Sequence, residues 1–180
     1  NAAAAAVVRL GHEHLDAMNI NMITCGGQAS VPLAWAIRRA YPDEKLEYVE
    51  IVSSIASRSA GPATRLNVDE YIETTERALV QFSGCARAKT ILILNPAQPC
   101  IDMQTTVFAK APRPDMDRLR DEVGRIAEVI RGYVPGYQLI VPPLYENGRL
   151  VIMVRVQGVG DYLPKYAGNL DIINCAAITV

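Results

Sequence analysis

Cys25 is the residue of this chain whose type and setting most favour covalent chemistry. It lies in the motif TCGGQASVP (residues 24–32), between a segment typical of a strand and a segment typical of a helix. The unpaired N–H groups and positive dipole end of a helix that starts just after Cys25 are expected to lower the pKa of its thiol. Gly26 and Gly27 lack a Cβ, so a substrate carbonyl could approach their N–H groups closely and be stabilised as an oxyanion. A buried, inert cysteine is the alternative, and the motif alone leaves it open.

The scarcity of histidine narrows the chemistry open to Cys25. The chain has two histidines, His12 and His14, whose spacing does not place them on one helix face, so a solvated surface pair is predicted. A protease-type cysteine–histidine pair would have to recruit one of them. Addition of a thiol to an aldehyde depends less on a dedicated base, because no amine leaving group must be protonated. The residues therefore favour aldehyde or thioester substrates.

Two further segments could bind a ligand, and each also has a simpler explanation. In residues 59–67 (SAGPATRLN), a Gly-Pro loop leads to a helix start with Arg65 close by, an arrangement that could hold an anionic or polar group. Acidic residues in the following turn already complement the helix dipole, so a plain loop is favoured from the residues alone. Asn169 offers an amide at another helix start, and by itself it is equally well explained as a cap.

Composition excludes several classes of protein. The 180 residues carry a formal net charge of −1 with acids and bases interspersed, which disfavours a nucleic-acid partner. No apolar run approaches the ~20 residues that span a bilayer, and no segment resembles a signal peptide, so we expect a cytoplasmic protein without membrane contact. The cysteines lack the spacing of a zinc site, and a chain of this length needs no disulfide framework. Reduced thiols and no metal are predicted at Cys25, Cys85, Cys100 and Cys175.

Helical and extended segments alternate around these residues. Strands are predicted at 19–24, 46–57, 90–96 and 105–111, and on both sides of a hairpin turn at 146–148. Helices are predicted at 30–41 with Ser30 as cap, after an Asn67-x-x-Glu70 capping box, at 115–133, and at 170–180. The apolar run 90–96 suits a strand buried on both faces, and the opening NAAAAAVV is too simple to interpret. This order predicts an α+β fold, with a mostly antiparallel or mixed sheet covered by helices on one face.

Five motifs, taken in order, resemble the acylating acetaldehyde dehydrogenases, the NAD-dependent partners of the 4-hydroxy-2-oxovalerate aldolases. They are NINMITCGGQASVP, EIVSSIASRSAGPATRLNVDEYIETT, ILILNPAQP, YVPGYQL and GDYLPKYAGNLDI. The resemblance runs from about His12 to the last residues. It implies that residues 1–180 form a catalytic and dimerisation domain, similar in architecture to the catalytic domain of glyceraldehyde-3-phosphate dehydrogenase.

The resemblance also implies a mechanism and a set of site residues. Cys25 matches the family's acyl-thioester nucleophile, which adds to acetaldehyde or a short aliphatic aldehyde. The hydride then passes to NAD+, and coenzyme A takes the acyl group. A homodimer, an aldolase partner and a place in aromatic hydrocarbon catabolism are implied as well. The expected cofactor contacts are Ser59, Ala60, Gly61, Pro62, Ala63, Thr64, Arg65, Leu66, Asn67 and Asn169.

Some residues depart from the family's usual pattern. No G-x-G-x-x-G follows a strand, so we expect the N-terminal nucleotide-binding domain to be absent from this chain. Thr105 stands where the family usually has an acid that could tune the cysteine, and a neutral hydroxyl cannot act as a general base near pH 7. Ala63 replaces a glycine and Cys100 a proline. Two alternatives therefore accompany the enzyme hypothesis: a non-catalytic dimerisation or aldolase-docking module, and a thioester-handling acyltransferase that needs no nicotinamide.

Overall fold

The structure is a computed structural model that describes residues 2–11, 18–41 and 44–180. His12 and His14, the predicted surface pair, lie outside these residues. The strands are β1 (Ala2–Ala3), β2 (Asn21–Met22), β3 (Tyr48–Ala56), β4 (Arg87–Asn95), β5 (Met103–Lys110), β6 (Tyr137–Glu146) and β7 (Arg149–Val156). The helices are α1 (Ala5–Arg9), α2 (Cys25–Ala40), α3 (Pro62–Leu66), α4 (Val68–Ser83), α5 (Met116–Arg131) and α6 (Gly168–Thr179), with one turn of 3-10 helix at Ser57–Ser59.

A mixed five-stranded sheet in the order β4-β3-β5-β7-β6 forms the centre of the molecule. β3 pairs in parallel with β4, and the remaining pairs are antiparallel. The predicted α+β fold is therefore confirmed. The hairpin turn is confirmed too, because Asn147 and Gly148 both have positive φ, 51° and 77°, as a two-residue turn requires. β4 and β5 are consecutive in sequence but not adjacent, since both pair with β3 on its opposite sides.

Helices cover one face of this sheet. α2, α4 and α5 contact its strands, and β3 alternates accordingly: Val49 and Ile51 are buried, whereas Val52 keeps partial exposure. The cross-strand partners of Val52 continue a row across the face that these helices do not cover. We call this row the open-face row, and its members are Ile91, Val52, Thr106, Met153 and Val141.

β4 is an edge strand, and the prediction that residues 90–96 are buried on both faces is wrong. Thr90 points into the core, whereas Ile91 and Ile93 are exposed on the open face. A continuous apolar run is compatible with burial on both faces and equally with one buried face and one apolar open face. The sequence pattern cannot separate the two.

The opening residues, whose simple composition allowed no interpretation, belong to the core. Ala4, Ala5 and Ala6 are completely buried, and α1 contacts α2, α5 and α6. β1 pairs in parallel with β2 in a separate two-stranded sheet, so the strand predicted at 19–24 is confined to Asn21–Met22. Small side chains at this position let the segment pack closely among three helices. No helix in the described part of the chain is both long and apolar enough to cross a bilayer.

Candidate active site

Cys25 is the first residue of α2, and Thr24 is the N-cap of that helix. Thr24 Oγ1 accepts a hydrogen bond from Gly27 N–H at 3.0 Å, and Thr24 O accepts the first helical bond from Gln28 N–H at 2.7 Å. This is the usual geometry of a threonine cap. Cys25 therefore lies inside the first turn of the helix, not just ahead of it.

The predicted start of this helix at Ser30 is wrong by five residues. Ser30 lies in the helix interior, where its Oγ donates to Gly26 O at 2.7 Å, and Pro32 is also interior instead of in the first turn. Two glycines and a proline have the lowest helix propensities, so the local sequence argues against a helix here. Packing against neighbouring elements overrides that preference.

The glycines after Cys25 are required by this packing. A Cβ on Gly26 would lie 2.0 Å from Tyr71 Oη and 2.7 Å from Ser53 Oγ, and one on Gly27 would lie 3.2 Å from the side chain of Ile23. α4 and β3 thus press directly against the first turn of α2. The absence of a Cβ serves this contact, and the expected approach of a substrate carbonyl to the Gly26 backbone stays a prediction.

The backbone donors at this turn also differ from the prediction. The N–H of Gly27 is taken by Thr24, so it does not face a substrate. The N–H groups of Gly26 and of Cys25 itself act on the Cys25 sulfur and lower its pKa. The donors beside the sulfur are therefore the first two N–H groups of α2.

Burial nevertheless raises the pKa of the Cys25 thiol to about 11, against the lowering effect of the Gly26 N–H, the Tyr71 hydroxyl and its own N–H. Cys25 keeps partial exposure to solvent, but the protein packed around it removes most of the water that would stabilise a thiolate. The prediction that the helix start lowers the pKa of Cys25 is therefore wrong, because desolvation raises this pKa more than the three donors lower it.

A group of hydroxyls lies between the first turn of α2 and the elements behind it. Thr24 Oγ1 and Thr75 Oγ1 are 2.7 Å apart, Thr75 Oγ1 donates to Tyr71 O at 2.7 Å, and Ser53 Oγ is 2.9 Å from Thr105 Oγ1. We call this set the hydroxyl cluster: Thr24, Ser53, Tyr71, Thr75 and Thr105. Thr105, where the resemblance expects an acid, is thus one neutral side chain away from the turn that holds Cys25.

The segment 59–67 is held together mainly by its own contacts. Ser59 Oγ donates to Ala56 O at 2.9 Å. Arg65 donates to Ala60 O at 3.1 Å, to Ser57 O at 2.8 Å and to Ser57 Oγ at 2.9 Å. The Arg65 guanidinium therefore braces the loop with two of its nitrogens.

The rest of this segment lies at the surface around α3. Asn67 does not form the predicted capping box, because its Nδ2 donates to Ala63 O at 2.9 Å and its side chain caps nothing in α4. Exposed or half-exposed residues make up this stretch: Gly61, Pro62, Ala63, Thr64, Leu66 and Asn67.

Asn169 brings α6 against this segment. Its Nδ2 donates to Ser59 O at 3.3 Å, while its Oδ1 is buried without a protein partner. The residue is only 3% exposed and does not cap α6, so the simpler explanation as a helix cap is wrong. α6 also contacts β2, the strand that leads to Cys25. The fold therefore joins two of the predicted ligand contacts, Ser59 and Asn169, near the end of the molecule where α2 begins.

Tyr71, Ser53 and Thr75 were missed from the sequence. Tyr71 and Thr75 fall on the buried stripe of α4, and Ser53 falls on the alternating pattern of β3. The available signal was the run of hydroxyl side chains at positions facing the core. In residues 2–11, 18–41 and 44–180, no three His, Cys, Asp or Glu side chains cluster as metal ligands would.

The chain is similar to known proteins over most of its length. Residues 25–164 match the family described as prokaryotic acetaldehyde dehydrogenase, dimerisation. An acetaldehyde dehydrogenase of Spirochaeta aurantia is 62% identical over 166 residues, 92% of this chain and 55% of that protein. One of Pectobacterium atrosepticum is 61% identical over 162 residues, 90% of this chain and 54% of that protein. The chain thus spans about half the length of the curated relatives that it matches.

A solved structure shares the fold. The crystal structure of aspartate semialdehyde dehydrogenase II from Vibrio cholerae, complexed with ASA, superposes with a TM-score of 0.53 at 10% identity. The match covers 88% of this chain and 57% of that one. At such low identity the similarity establishes the fold alone.

Proposed function

Because the chain belongs to the prokaryotic acetaldehyde dehydrogenase family, we propose that it performs the covalent part of an acylating aldehyde oxidation with Cys25 as nucleophile. The proposed substrate is acetaldehyde or a short aliphatic aldehyde, and coenzyme A accepts the acyl group. One observation carries the proposal: Cys25 begins α2 with partial exposure and with two backbone N–H groups beside its sulfur.

The reaction at Cys25 can be written with all atoms accounted for. The sulfur bonds to the aldehyde carbon, and the thiol proton ends on the aldehyde oxygen, giving a thiohemiacetal. Charge that develops on that oxygen is stabilised by the N–H groups at the start of α2. NAD+, when bound, would supply the hydride acceptor for the same carbon, and the hydroxyl proton leaves to solvent as the carbonyl of the thioester forms. The resulting thioester passes its acyl group to the thiol of coenzyme A, and Cys25 returns to the thiol form.

Asn169 and the segment 59–67 remain the proposed cofactor contacts. The buried Oδ1 of Asn169 has no protein partner, and natural proteins rarely leave such an atom unsatisfied. An amide N–H₂, such as that of a nicotinamide carboxamide, has the donor chemistry that this oxygen needs. For the adenosine half of the cofactor we propose a nucleotide-binding domain outside this chain.

We further propose that two copies of the domain associate through the open face of the sheet. The matched family is described as a dimerisation domain and includes all five strands of this sheet. The open-face row is mostly apolar, and an apolar surface of this kind is typical of an interface between subunits. The aldolase partner and the cytoplasmic location stay predictions from the resemblance and from the composition.

The decisive experiment uses the protein that carries this chain together with acetaldehyde, NAD+ and coenzyme A. We expect NADH and acetyl-coenzyme A to form, and Cys25→Ser to abolish both products, because a hydroxyl is a far weaker nucleophile than a thiolate. Cys175→Ser, which removes another partly exposed thiol, is the matched control and should keep the activity. Equal product formation by Cys25→Ser would rule out the proposal.

The raised pKa of Cys25 and the neutral Thr105 favour one alternative, a non-catalytic dimerisation or docking module. That module would form neither NADH nor an acylated Cys25 in the same experiment. The acyltransferase alternative would exchange acyl groups between Cys25 and coenzyme A without NAD+.

A further inference from the structure

The Tyr71 hydroxyl has no evident purpose in holding the fold together. Tyr71 is 8% exposed, and no neighbour completes a hydrogen bond of full geometry with its Oη. Its ring alone would fill the same space in the core. An unsatisfied buried hydroxyl is disfavoured in folding, so its presence calls for a physical explanation.

The packing directs this hydroxyl at the turn that carries Cys25. The position that a Cβ on Gly26 would occupy is 2.0 Å from Tyr71 Oη, so the hydroxyl fills the space left by the missing side chain. Gly26 directly follows Cys25, and the nearby Tyr71 hydroxyl lowers the pKa of the Cys25 thiol. The tyrosine oxygen and the sulfur therefore share one small region at the start of α2.

The remaining neighbours are suited to holding the hydroxyl in this position. Ser53 Oγ lies 2.7 Å from the same Cβ position, and Thr105 fixes Ser53 through the 2.9 Å contact between their hydroxyls. The Ser53 hydroxyl lowers the pKa of Tyr71, as a donor to the Tyr71 oxygen would, which leaves the hydroxyl proton of Tyr71 available for another acceptor.

In the described part of the chain, the groups that affect the ionisation of Cys25 are uncharged. From α4, Tyr71 is the titratable side chain that affects its ionisation, and β3 and β5 present the neutral hydroxyls of Ser53 and Thr105. Among the described residues, no charged side chain shifts the pKa of Cys25. A thiolate at this position must therefore be stabilised by neutral donors.

We propose that Tyr71 is a catalytic residue whose hydroxyl donates a hydrogen bond to the Cys25 thiolate, and that Ser53 and Thr105 position this hydroxyl. The inference rests on the proposed function, since the bond matters to catalysis only if Cys25 is the nucleophile. Burial raises the pKa of Tyr71 far above its ordinary value, and the adjacent Cys25 adds to this. Tyr71 therefore keeps its proton, and remains a donor, at neutral and mildly alkaline pH.

The test is the rate at which iodoacetamide alkylates Cys25, followed by mass spectrometry of the Cys25 peptide. We expect Tyr71→Phe to lower this rate about tenfold at each pH from about pH 7 to about pH 9, the loss of one hydrogen bond to a charged sulfur. The logarithmic rate–pH plots of the two proteins should be parallel, since a change in pKa displaces the line without changing its slope. Ser53→Ala should displace the line in the same direction by a smaller amount.

Tyr133→Phe is the matched control. It also removes a buried hydroxyl without a partner, but Tyr133 lies beside Arg9 and Cys175, and we expect Cys25 to react at the wild-type rate. The inference is overturned if Tyr71→Phe, with unchanged thermal unfolding, alkylates as fast as the wild type or faster. If Tyr71→Phe does not fold, Ser53→Ala decides, and an unchanged rate in that variant overturns the inference.

Alkylation requires no aldehyde, nicotinamide or coenzyme A. An unchanged rate in Tyr71→Phe together with loss of NADH formation in Cys25→Ser would reject the part assigned to Tyr71 and keep the proposed function. A lower rate in Tyr71→Phe together with unaffected NADH formation in Cys25→Ser would reject the proposed function, and with it a catalytic part for Tyr71, and would keep only the hydrogen bond to the Cys25 sulfur.

Discussion

At the scale of single residues, the sulfur of Cys25 is governed by a competition between burial and hydrogen bonding. Its pKa rises from 9.0 to about 11 even though two backbone N–H groups and one hydroxyl lower it. A net rise of about two pKa units corresponds to roughly 3 kcal/mol against the thiolate, which is the part of the burial cost that these neutral donors leave uncompensated. The resting chain therefore holds Cys25 as a protonated thiol near neutral pH.

This competition predicts the pH dependence of the thiol. Because burial disfavours the thiolate in the folded chain, the alkylation rate of Cys25 should rise about tenfold per pH unit from about pH 7 to about pH 10 without a plateau. In the urea-unfolded chain the same cysteine is solvated, and its rate should level off above about pH 8.5. The rates at which iodoacetamide alkylates Cys25 in the folded and in the urea-unfolded chain, followed by mass spectrometry of the Cys25 peptide, measure both pH dependences. A plateau near neutral pH in the folded chain would show that the N–H groups at the helix start lower the pKa of Cys25 more than burial raises it.

At the scale of elements, the start of α2 is fixed by its fit against α4 and β3. Thr24 caps the helix, and Gly26 leaves room for the hydroxyls of Tyr71 and Ser53. The elements α2, α4 and β3 therefore pack so closely at Gly26 that one added methyl group would not fit between them. The geometry of the candidate nucleophile depends on that contact.

A methyl group at Gly26 should therefore separate these elements. We expect Gly26→Ala to lower the free energy of unfolding by about 1–3 kcal/mol through overpacking, and to reduce NADH formation as Cys25 is displaced. Gly124→Ala in α5 is the control, since a Cβ there meets nothing within 4 Å and alanine favours the helix by about 0.5–1 kcal/mol. Urea unfolding of both variants measures the contrast. A Gly26→Ala protein as stable as the wild type would contradict the close packing.

Elements with a regular local pattern could be predicted from the sequence. β3 alternates, α4 and α5 carry apolar stripes, and Asn147-Gly148 specifies its turn. The start of α2 and the edge position of β4 could not be predicted, because both depend on which distant elements pack there. The Ala4–Ala6 run gave no pattern, since alanine suits a helix and a packed core equally well.

The candidate site also contains residues that could be predicted from the sequence and residues that could not. Cys25, Ser59 and Asn169 stand in motifs that the sequence displays, and the structure brings the last two together. Tyr71 lies 46 positions beyond Cys25 on an apolar stripe, where nothing local indicates which hydroxyl meets the sulfur. The hydroxyl cluster is a product of the tertiary fold.

At the scale of the whole molecule, the sheet is asymmetric. Helices bury one face, while the open-face row carries mainly apolar side chains with no covering element in the described part of the chain. β7 shows the contrast in adjacent residues, since Val154 is fully buried and Met153 is half-exposed. A second copy on this face would remove the apolar row from water.

A charge within the open-face row should prevent that association. We expect Met153→Glu to convert the proposed dimer to a monomer, because a carboxylate buried in an apolar interface costs several kcal/mol, whereas in the monomer it faces water. Light scattering after size-exclusion chromatography measures the mass. Ile178→Glu, which places the same charge on the exposed end of α6, is the control and should stay dimeric. A Met153→Glu protein that is still dimeric would show that the interface does not lie on the open face.

The buried opening segment also couples the start of the chain to the candidate nucleophile. Ala2 and Ala3 pair with Asn21 and Met22, just ahead of the cap of α2, and the Ala5 N–H donates to Gln28 Oε1 at 3.1 Å inside that helix. A mechanical displacement of these first residues is therefore transmitted to the turn around Cys25 from two sides. A movement of the proposed nucleotide-binding domain, if it is joined ahead of Ala2, would therefore shift the backbone around Cys25 and change the position of its sulfur.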